Sequence, residues 1–141
     1  MTTLAREICL TELDAVRLES MLDQVRRRAP EERSSVEALE DRVDAARVVH
    51  QTSIEPQVVT MNSVVILTDR ESRETVELTL AYPAEANAEQ GRVSVLSPVG
   101  RALIGARVGE VLRVSVPGQR DKSFEVTAIP YQPEAQGRYD L

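Results

Sequence analysis

The stretch from Ser97 to Glu110, Ser-Pro-Val-Gly-Arg-Ala-Leu-Ile-Gly-Ala-Arg-Val-Gly-Glu, restricts the fold of this chain more than any other. It reads as a short helix with both ends written into it. Ser97 is suited to accept from the first free N–H groups, and Pro98 to the first helical position, where a missing N–H costs nothing. Ala102, Leu103 and Ile104 supply apolar contact, and Gly105 suits a positive φ just past the end. Strand-like runs flank it, Arg92 to Leu96 before and Val111 to Val116 after. A single short helix between strands has only the face of their sheet to lie on. The expected fold is α+β, with one short helix on a sheet.

The rest of that sheet is legible upstream and downstream. Val64-Val65-Ile66-Leu67 is an apolar run expected to be buried on both faces or nearly so. Asp69-Arg70-Glu71-Ser72-Arg73 is a polar turn, and Glu74 to Tyr82 alternates, placing Val76, Leu78 and Leu80 inward and Glu77 and Thr79 outward. These two runs form a β-hairpin. Pro83 ends the strand, Ala84 to Gln90 is an exposed loop or a short turn of helix, and Gly91 opens a third strand at Arg92. Val111 to Val116 and Ser123 to Ile129 make a second hairpin across Pro117-Gly118-Gln119-Arg120. About five antiparallel strands are expected, with Pro130 to Pro133 carrying the chain out to a polar tail.

The N-terminal third has a different period. Residues 1–10 are a short lead, expected to fray. Thr11-Glu12-Leu13-Asp14 is a helix start with a hydroxyl cap and first-turn acids. Ala15, Leu18, Leu22 and Val25 then recur at three- and four-residue steps until Ala29-Pro30 breaks the helix after Arg28. Ser34-Ser35-Val36-Glu37 looks like a capping box for a second helix carrying Val36, Leu39, Val43 and Ala46, with His50 on the same stripe. Two such helices joined by a tight turn form an antiparallel hairpin, a short coiled coil. The domain expectation is residues 1–53 for the hairpin and 54–141 for the sheet. A narrow seam with polar outer faces is too little core to stand alone, so the hairpin must root in the larger part.

Composition limits the chemistry. With 42% apolar but only 3% aromatic residues and no Trp, the core must be built from Val, Leu, Ile and Ala. A net charge of −6 disfavours independent nucleic-acid binding through phosphate neutralisation. The single Cys9 suits a reducing compartment, the lone His50 has no second ligand at metal spacing, and no apolar run of membrane-spanning length or signal peptide is present. A cytoplasmic protein is expected. No Gly-rich phosphate loop, Cys–His pair or Gly-x-Ser-x-Gly appears, so the chain does not read as an enzyme, and no cofactor or metal is expected. The helical acids Glu37, Glu40, Asp41 and Asp44 read as surface partners for Arg33, Arg42 and Arg47. The turn between the helices carries Arg28, Pro30, Glu31, Glu32 and Arg33, a solvated turn with helix-end charge compensation or a partner contact.

A helical hairpin followed by Ser-Pro-x-x-x-Ala-Leu-x-Gly-x-x-Val-Gly-Glu resembles the bacterial Gre transcript-cleavage factors. Val58-Val59-Thr60-Met61-Asn62-Ser63, Tyr82-Pro83-Ala84, Ser97-Pro98-Val99-Gly100 and Tyr131-Gln132-Pro133-Glu134-Ala135-x-Gly137 resemble more closely their shorter branch, the Rnk type, called regulators of nucleoside diphosphate kinase. The resemblance implies an FKBP-like C-terminal domain without prolyl isomerase activity. It further implies binding to RNA polymerase at the rim of the secondary channel, through the segment that is Leu96, Ser97 and Pro98 here. Any association with DNA then runs through the polymerase, and any effect on nucleoside diphosphate kinase level is downstream of transcription.

In the cleavage factors the hairpin presents acidic tip residues that help hold a catalytic metal ion. About eighteen helical residues span only about 27 Å, and Glu31 and Glu32 adjoin Arg26-Arg27-Arg28 and Arg33, so the acidic tip pattern is not reproduced. The expectation is a monomeric, non-catalytic regulator that occupies the secondary channel and competes with Gre factors. The alternative is a cleavage factor using Glu31 and Glu32.

Overall fold

The computed structural model describes residues 8–115 and 118–140. In chain order the elements are β1 (Cys9–Thr11), α1 (Glu12–Arg28), a 3-10 turn (Pro30–Glu32), α2 (Arg33–Asp44), β2 (Arg47–Val49), β3 (Val64–Asp69), β4 (Thr75–Ala81), β5 (Arg92–Ser94), α3 (Pro98–Leu103), β6 (Val111–Val114) and β7 (Lys122–Tyr131). Further 3-10 turns lie at Gln51–Ser53, Pro83–Glu85, Ala88–Gln90 and Glu134–Gln136. The fold is mixed α+β, as expected.

The main sheet has five strands in the order β5-β4-β3-β7-β6. β3 is central and pairs antiparallel with β4 and β7, and β6 pairs antiparallel with β7. The expectation of antiparallel strands throughout fails at one edge, where β5 runs parallel to β4 with Thr79 opposite Arg92 and Ala81 opposite Ser94. Pro83 does stop β4. The connection to Gly91 is then long enough to hold two 3-10 turns and carry the chain back beside β4 in the same direction, which a hairpin turn cannot do. β5 covers only Thr79 to Ala81, so Val76 lies beyond it and is 44% exposed instead of facing inward. Along β3, Val65 and Leu67 are fully buried while Val64 and Ile66 are half-buried, a one-sided strand and not one buried on both faces. Pro130 is tolerated within β7 because the register with β3 shifts there, from Ile66 opposite Ala128 to Val64 opposite Tyr131. The expected turn after β6 lies partly outside the described residues, at Val116 and Pro117.

The N-terminal expectations need three corrections. Thr11 does cap α1, its Oγ1 accepting from the Asp14 N–H at 3.0 Å. The lead before it is not frayed over its described part: Cys9 to Thr11 pair in parallel with Arg47 to Val49, and Leu10 is only 1% exposed. That pairing ends α2 at Asp44, because Val48 and Val49 favour an extended chain once a strand partner exists. His50 therefore leaves the helical stripe, and its Nδ1 caps the next turn by accepting from the Thr52 N–H at 3.3 Å. The capping box at Ser34 is not used, since the Pro30–Glu32 turn runs directly into α2 at Arg33.

One continuous core joins these parts. Leu18 and Leu22 of α1 and Val36, Leu39 and Val43 of α2 belong to the same buried cluster as Val59, Met61, Leu67, Leu80, Leu103, Ile104 and Val126. The helix pair thus obtains from the sheet the core it lacks alone. α3 closes the cluster. Ser97 Oγ accepts from the Gly100 N–H at 3.1 Å and donates to the Ser94 carbonyl at 2.7 Å, tying the cap to β5. Gly100 lies directly on that strand, where an added Cβ would sit 1.9 Å from the Ser94 oxygen. Gly105 has φ +76° and leaves room for Ile8, whose Cβ an added Cβ would meet at 2.5 Å. Gly100→Ala is expected to lower the unfolding free energy by about 3 kcal/mol, read as a fall in the urea midpoint, because backbone and not a flexible side chain must yield.

Candidate functional site

Sequence reading places two separate groups of interest, the entry to α3 and the turn between α1 and α2. The structure brings them together. A groove of about 480 Å³ is lined on one side by Val25, Ala29, Glu32 and Ser35 of the helix pair. On the other side it is lined by Pro83, Ser94, Leu96, Ser97 and Pro98. The two groups are neighbours because the helix pair lies along the sheet, not away from it.

Within this surface the residues differ in what they expose. Leu96 turns its side chain into the core and is 8% exposed, so it supports the surface from below. Ser97 and Pro98 are half-buried. Arg28, Pro30, Glu31, Glu32 and Arg33 are exposed on the turn and its flanks. The Arg101 guanidinium of α3 donates to the Leu96 carbonyl, and Glu32 faces it across the groove. Partial burial draws the Arg101 pKa down, and Glu32 opposes that by favouring the cation. Below the turn, Arg26 bridges Asp23 at 2.9 Å and Glu40 of α2, and Arg33 reaches Glu37 at 3.3 Å. The positive charge around Glu31 and Glu32 is thus partly answered by acids of the helices themselves.

Two titratable side chains, Arg42 and Asp14, hold the helix pair in place. Arg42 was expected on the exposed face, pairing with acids of its own helix. Instead its guanidinium donates to the Ile104 carbonyl at 3.1 Å, at the C-terminal end of α3, where orphan carbonyls attract a cation. Burial lowers its pKa, and Glu110 acts in the opposite sense. On the other helix, Asp14 is completely buried and its Oδ2 accepts from the Met61 N–H at 3.1 Å. Nothing in the local sequence separates Arg42 from a surface arginine or Asp14 from an ordinary first-turn acid. Their roles depend on what the fold places opposite them.

Along the other side of α1 a wider groove of about 640 Å³ runs between Met21, Gln24 and Val25 and the segment from Tyr82 to Glu85. Among the described residues, no three His, Cys, Asp or Glu side chains are gathered as a metal site requires. No described helix is long and apolar enough to cross a membrane.

Three comparisons with known proteins agree on one family. Residues 54–131 match the model for "Transcription elongation factor, GreA/GreB, C-term". The chain is 36% identical over 134 residues to the "Regulator of nucleoside diphosphate kinase" of Escherichia coli strain K12, covering 95% of this chain and 96% of that protein. It is 37% identical over 107 residues to the "Transcription elongation factor GreA" of Sphingopyxis alaskensis, covering 73% of this chain and 66% of the relative. Among solved structures, a prokaryotic transcription elongation factor GreA/GreB from Nitrosomonas europaea superposes with a TM-score of 0.74 at 34% identity. That superposition covers 89% of this chain and all of the other.

Replacing Arg42 by Ala leaves the terminal carbonyls of α3 without their charged donor. The expected cost is about 2 kcal/mol in chemical unfolding, the range for a hydrogen bond to a charged group. Ser97→Ala is expected to cost about 1 kcal/mol, the usual value of a lost helix cap.

Proposed function

The chain belongs to the GreA/GreB C-terminal family of transcription elongation factors, and from that premise we propose that it regulates transcription by binding RNA polymerase at the rim of the secondary channel. In this reading it competes there with Gre-type factors and does not stimulate transcript cleavage. The helix pair corresponds to a short antiparallel coiled coil, and the sheet with α3 to the FKBP-like module of the family. An effect on nucleoside diphosphate kinase, the enzyme in the name of the Escherichia coli relative, follows from transcription and not from contact with the kinase.

One observation carries the reading. The capped entry to α3 and the turn between the helices line one groove, so Ser97, Pro98 and Glu32 present a single composite surface to a partner. α1 has 17 residues and a length of about 25 Å. A helix of that length lying beside the sheet keeps Glu31 and Glu32 close to whatever holds Ser97 and Pro98. Carboxylates kept at a channel rim do not reach a catalytic centre deep inside it.

The alternative, a cleavage factor, draws on the exposure of the adjacent Glu31 and Glu32. Pull-down with core RNA polymerase followed by displacement with a Gre factor separates the readings. Micromolar or tighter binding, competition with the Gre factor and no shortening of stalled transcripts are expected. Ser97→Glu combined with Pro98→Ala is expected to weaken binding at least tenfold while leaving the circular dichroism spectrum unchanged. Absence of binding at micromolar concentration defeats the proposal. Transcript shortening that Glu31→Gln with Glu32→Gln abolishes establishes the alternative.

A further inference from the structure

The turn at Thr60 to Ser63 is held by two carboxylates from opposite ends of the chain. Asp14, on the first turn of α1, accepts from the Met61 N–H at 3.1 Å. Glu134, on the last 3-10 turn, accepts from the Thr60 hydroxyl at 2.7 Å. The proton directions between them are fixed by a chain of donors. The Thr60 N–H donates to Ser63 Oγ at 3.0 Å, so the Ser63 hydroxyl is free to donate to Thr60 Oγ1, 2.9 Å away, and the Thr60 hydroxyl proton is left for Glu134. The same segment is fastened to the sheet, with the Asn62 N–H donating to the Leu80 carbonyl at 2.7 Å and the Leu80 N–H to the Ser63 carbonyl at 3.0 Å. Gln132 Nε2 adds bonds to the Glu55 and Val58 carbonyls at 2.7 and 2.8 Å, drawing the C-terminal segment onto the same stretch.

Among the described residues this site is short of positive charge for two acids. Asp14 is fully buried, and its Oδ1 has no hydrogen-bond partner among the described residues. The groups that face it are Thr11 of β1, Arg17 on its own helix, the Met61 amide, Tyr82 at the end of β4 and Glu134 of the last turn, with Glu85 acting on Tyr82 from beyond. Arg17 is the one cation of this set, and its guanidinium is hydrogen-bonded to the Asp140 carbonyl at 2.9 Å. The Tyr82 hydroxyl is buried and has no partner among the described residues. A buried carboxylate with one lone oxygen and a second carboxyl nearby favours holding a proton.

We propose that Asp14 and Glu134 form a proton-operated latch, in which a proton retained on the pair clamps α1 and the C-terminal turn to the Thr60–Ser63 turn, and its loss releases the helix pair from the sheet. The proposal stands on this cluster alone and holds whatever partner the helix pair engages. Burial pushes Asp14 from the ordinary 3.8 up to about 7, with the Glu134 charge acting in the same sense against the Met61 hydrogen bond and Arg17. Glu134 is itself raised by burial. A carboxyl raised on folding stabilises the closed state fully below its free value, and that advantage is lost as pH rises toward the folded value. The latch therefore tightens on acidification and is loose above neutral pH.

Amide hydrogen exchange on the full chain tests this. Between pH 6 and pH 8 the protection factors of Met61, Leu18 and Leu22 are expected to fall about tenfold, from the shift of Asp14 from 3.8 to about 7. At pH 8 these amides should be at least tenfold less protected than Val126 of β7, which bonds to the Glu110 carbonyl just before β6. Asp14→Asn, which keeps an oxygen for the Met61 N–H, should remove the pH dependence. Glu134→Gln should reduce it by removing the second charge. Equal protection of Met61 and Val126 at both pH values means only global unfolding and overturns the latch. An unchanged pH dependence in either variant overturns the role of that carboxyl and with it the pair.

Discussion

Arg42 reaches from α2 to the last carbonyls of α3, and much of the molecule depends on that contact and its counterpart on α1. The two helices carry a narrow apolar seam, enough to pack on each other but not to fold in isolation. Apolar burial has no direction and does not decide how such a pair lies on a sheet. Hydrogen bonds from polar side chains to backbone do decide it, because a buried donor or acceptor without its partner is costly. Arg42 on the Ile104 carbonyl and Asp14 on the Met61 N–H supply one such bond from each helix. With both made, Leu18, Leu22, Leu39 and Val43 join the core of the sheet.

That orientation is what creates the candidate surface. A helix pair standing away from the sheet would leave its turn far from α3. Lying along the sheet, it sets Glu32 opposite Arg101 and Ala29 and Ser35 beside Ser97 and Pro98. α3 is equally constrained from its own side. Its cap is tied to β5 through Ser97 and Ser94, its middle touches β5 at Gly100, and its end is capped by α2. The half-buried entry to α3 is thus held by contacts at both ends of a helix of only six residues.

The C-terminal motif finds its physical meaning here as well. Tyr131-Gln132-Pro133-Glu134 is one of the stretches that carry the family resemblance, and within it Gln132 and Glu134 are buried, Gln132 Nε2 donating to the Glu55 and Val58 carbonyls and Glu134 accepting from Thr60. They close the chain onto the segment that α1 also grips. The same segment is therefore shared by the first helix and the last turn.

Local signals were sufficient for α3, for the break at Ala29-Pro30, for the cap at Thr11 and for the β3–β4 and β6–β7 pairings. Each depends on residues within a few positions of one another: a hydroxyl before a helix, a proline that cannot continue one, an alternation across a turn. The parallel partner of β4, the strand formed by Cys9 to Thr11 with Arg47 to Val49, and the exposure of Val76 were decided by which segments met across the fold. The roles of Arg42, Asp14 and Glu134 were decided in the same way. An arginine on a helix, an acid in a first turn and a glutamate near a terminus look alike whether solvated or buried. Only the tertiary structure supplies the carbonyl, the N–H or the second carboxyl that determines which. The sequence by itself determined α1, α3, the β3–β4 and β6–β7 pairings and the family; the packing of the helix pair on the sheet determined the surface and the buried acids, because desolvation is a property of neighbours distant in the chain.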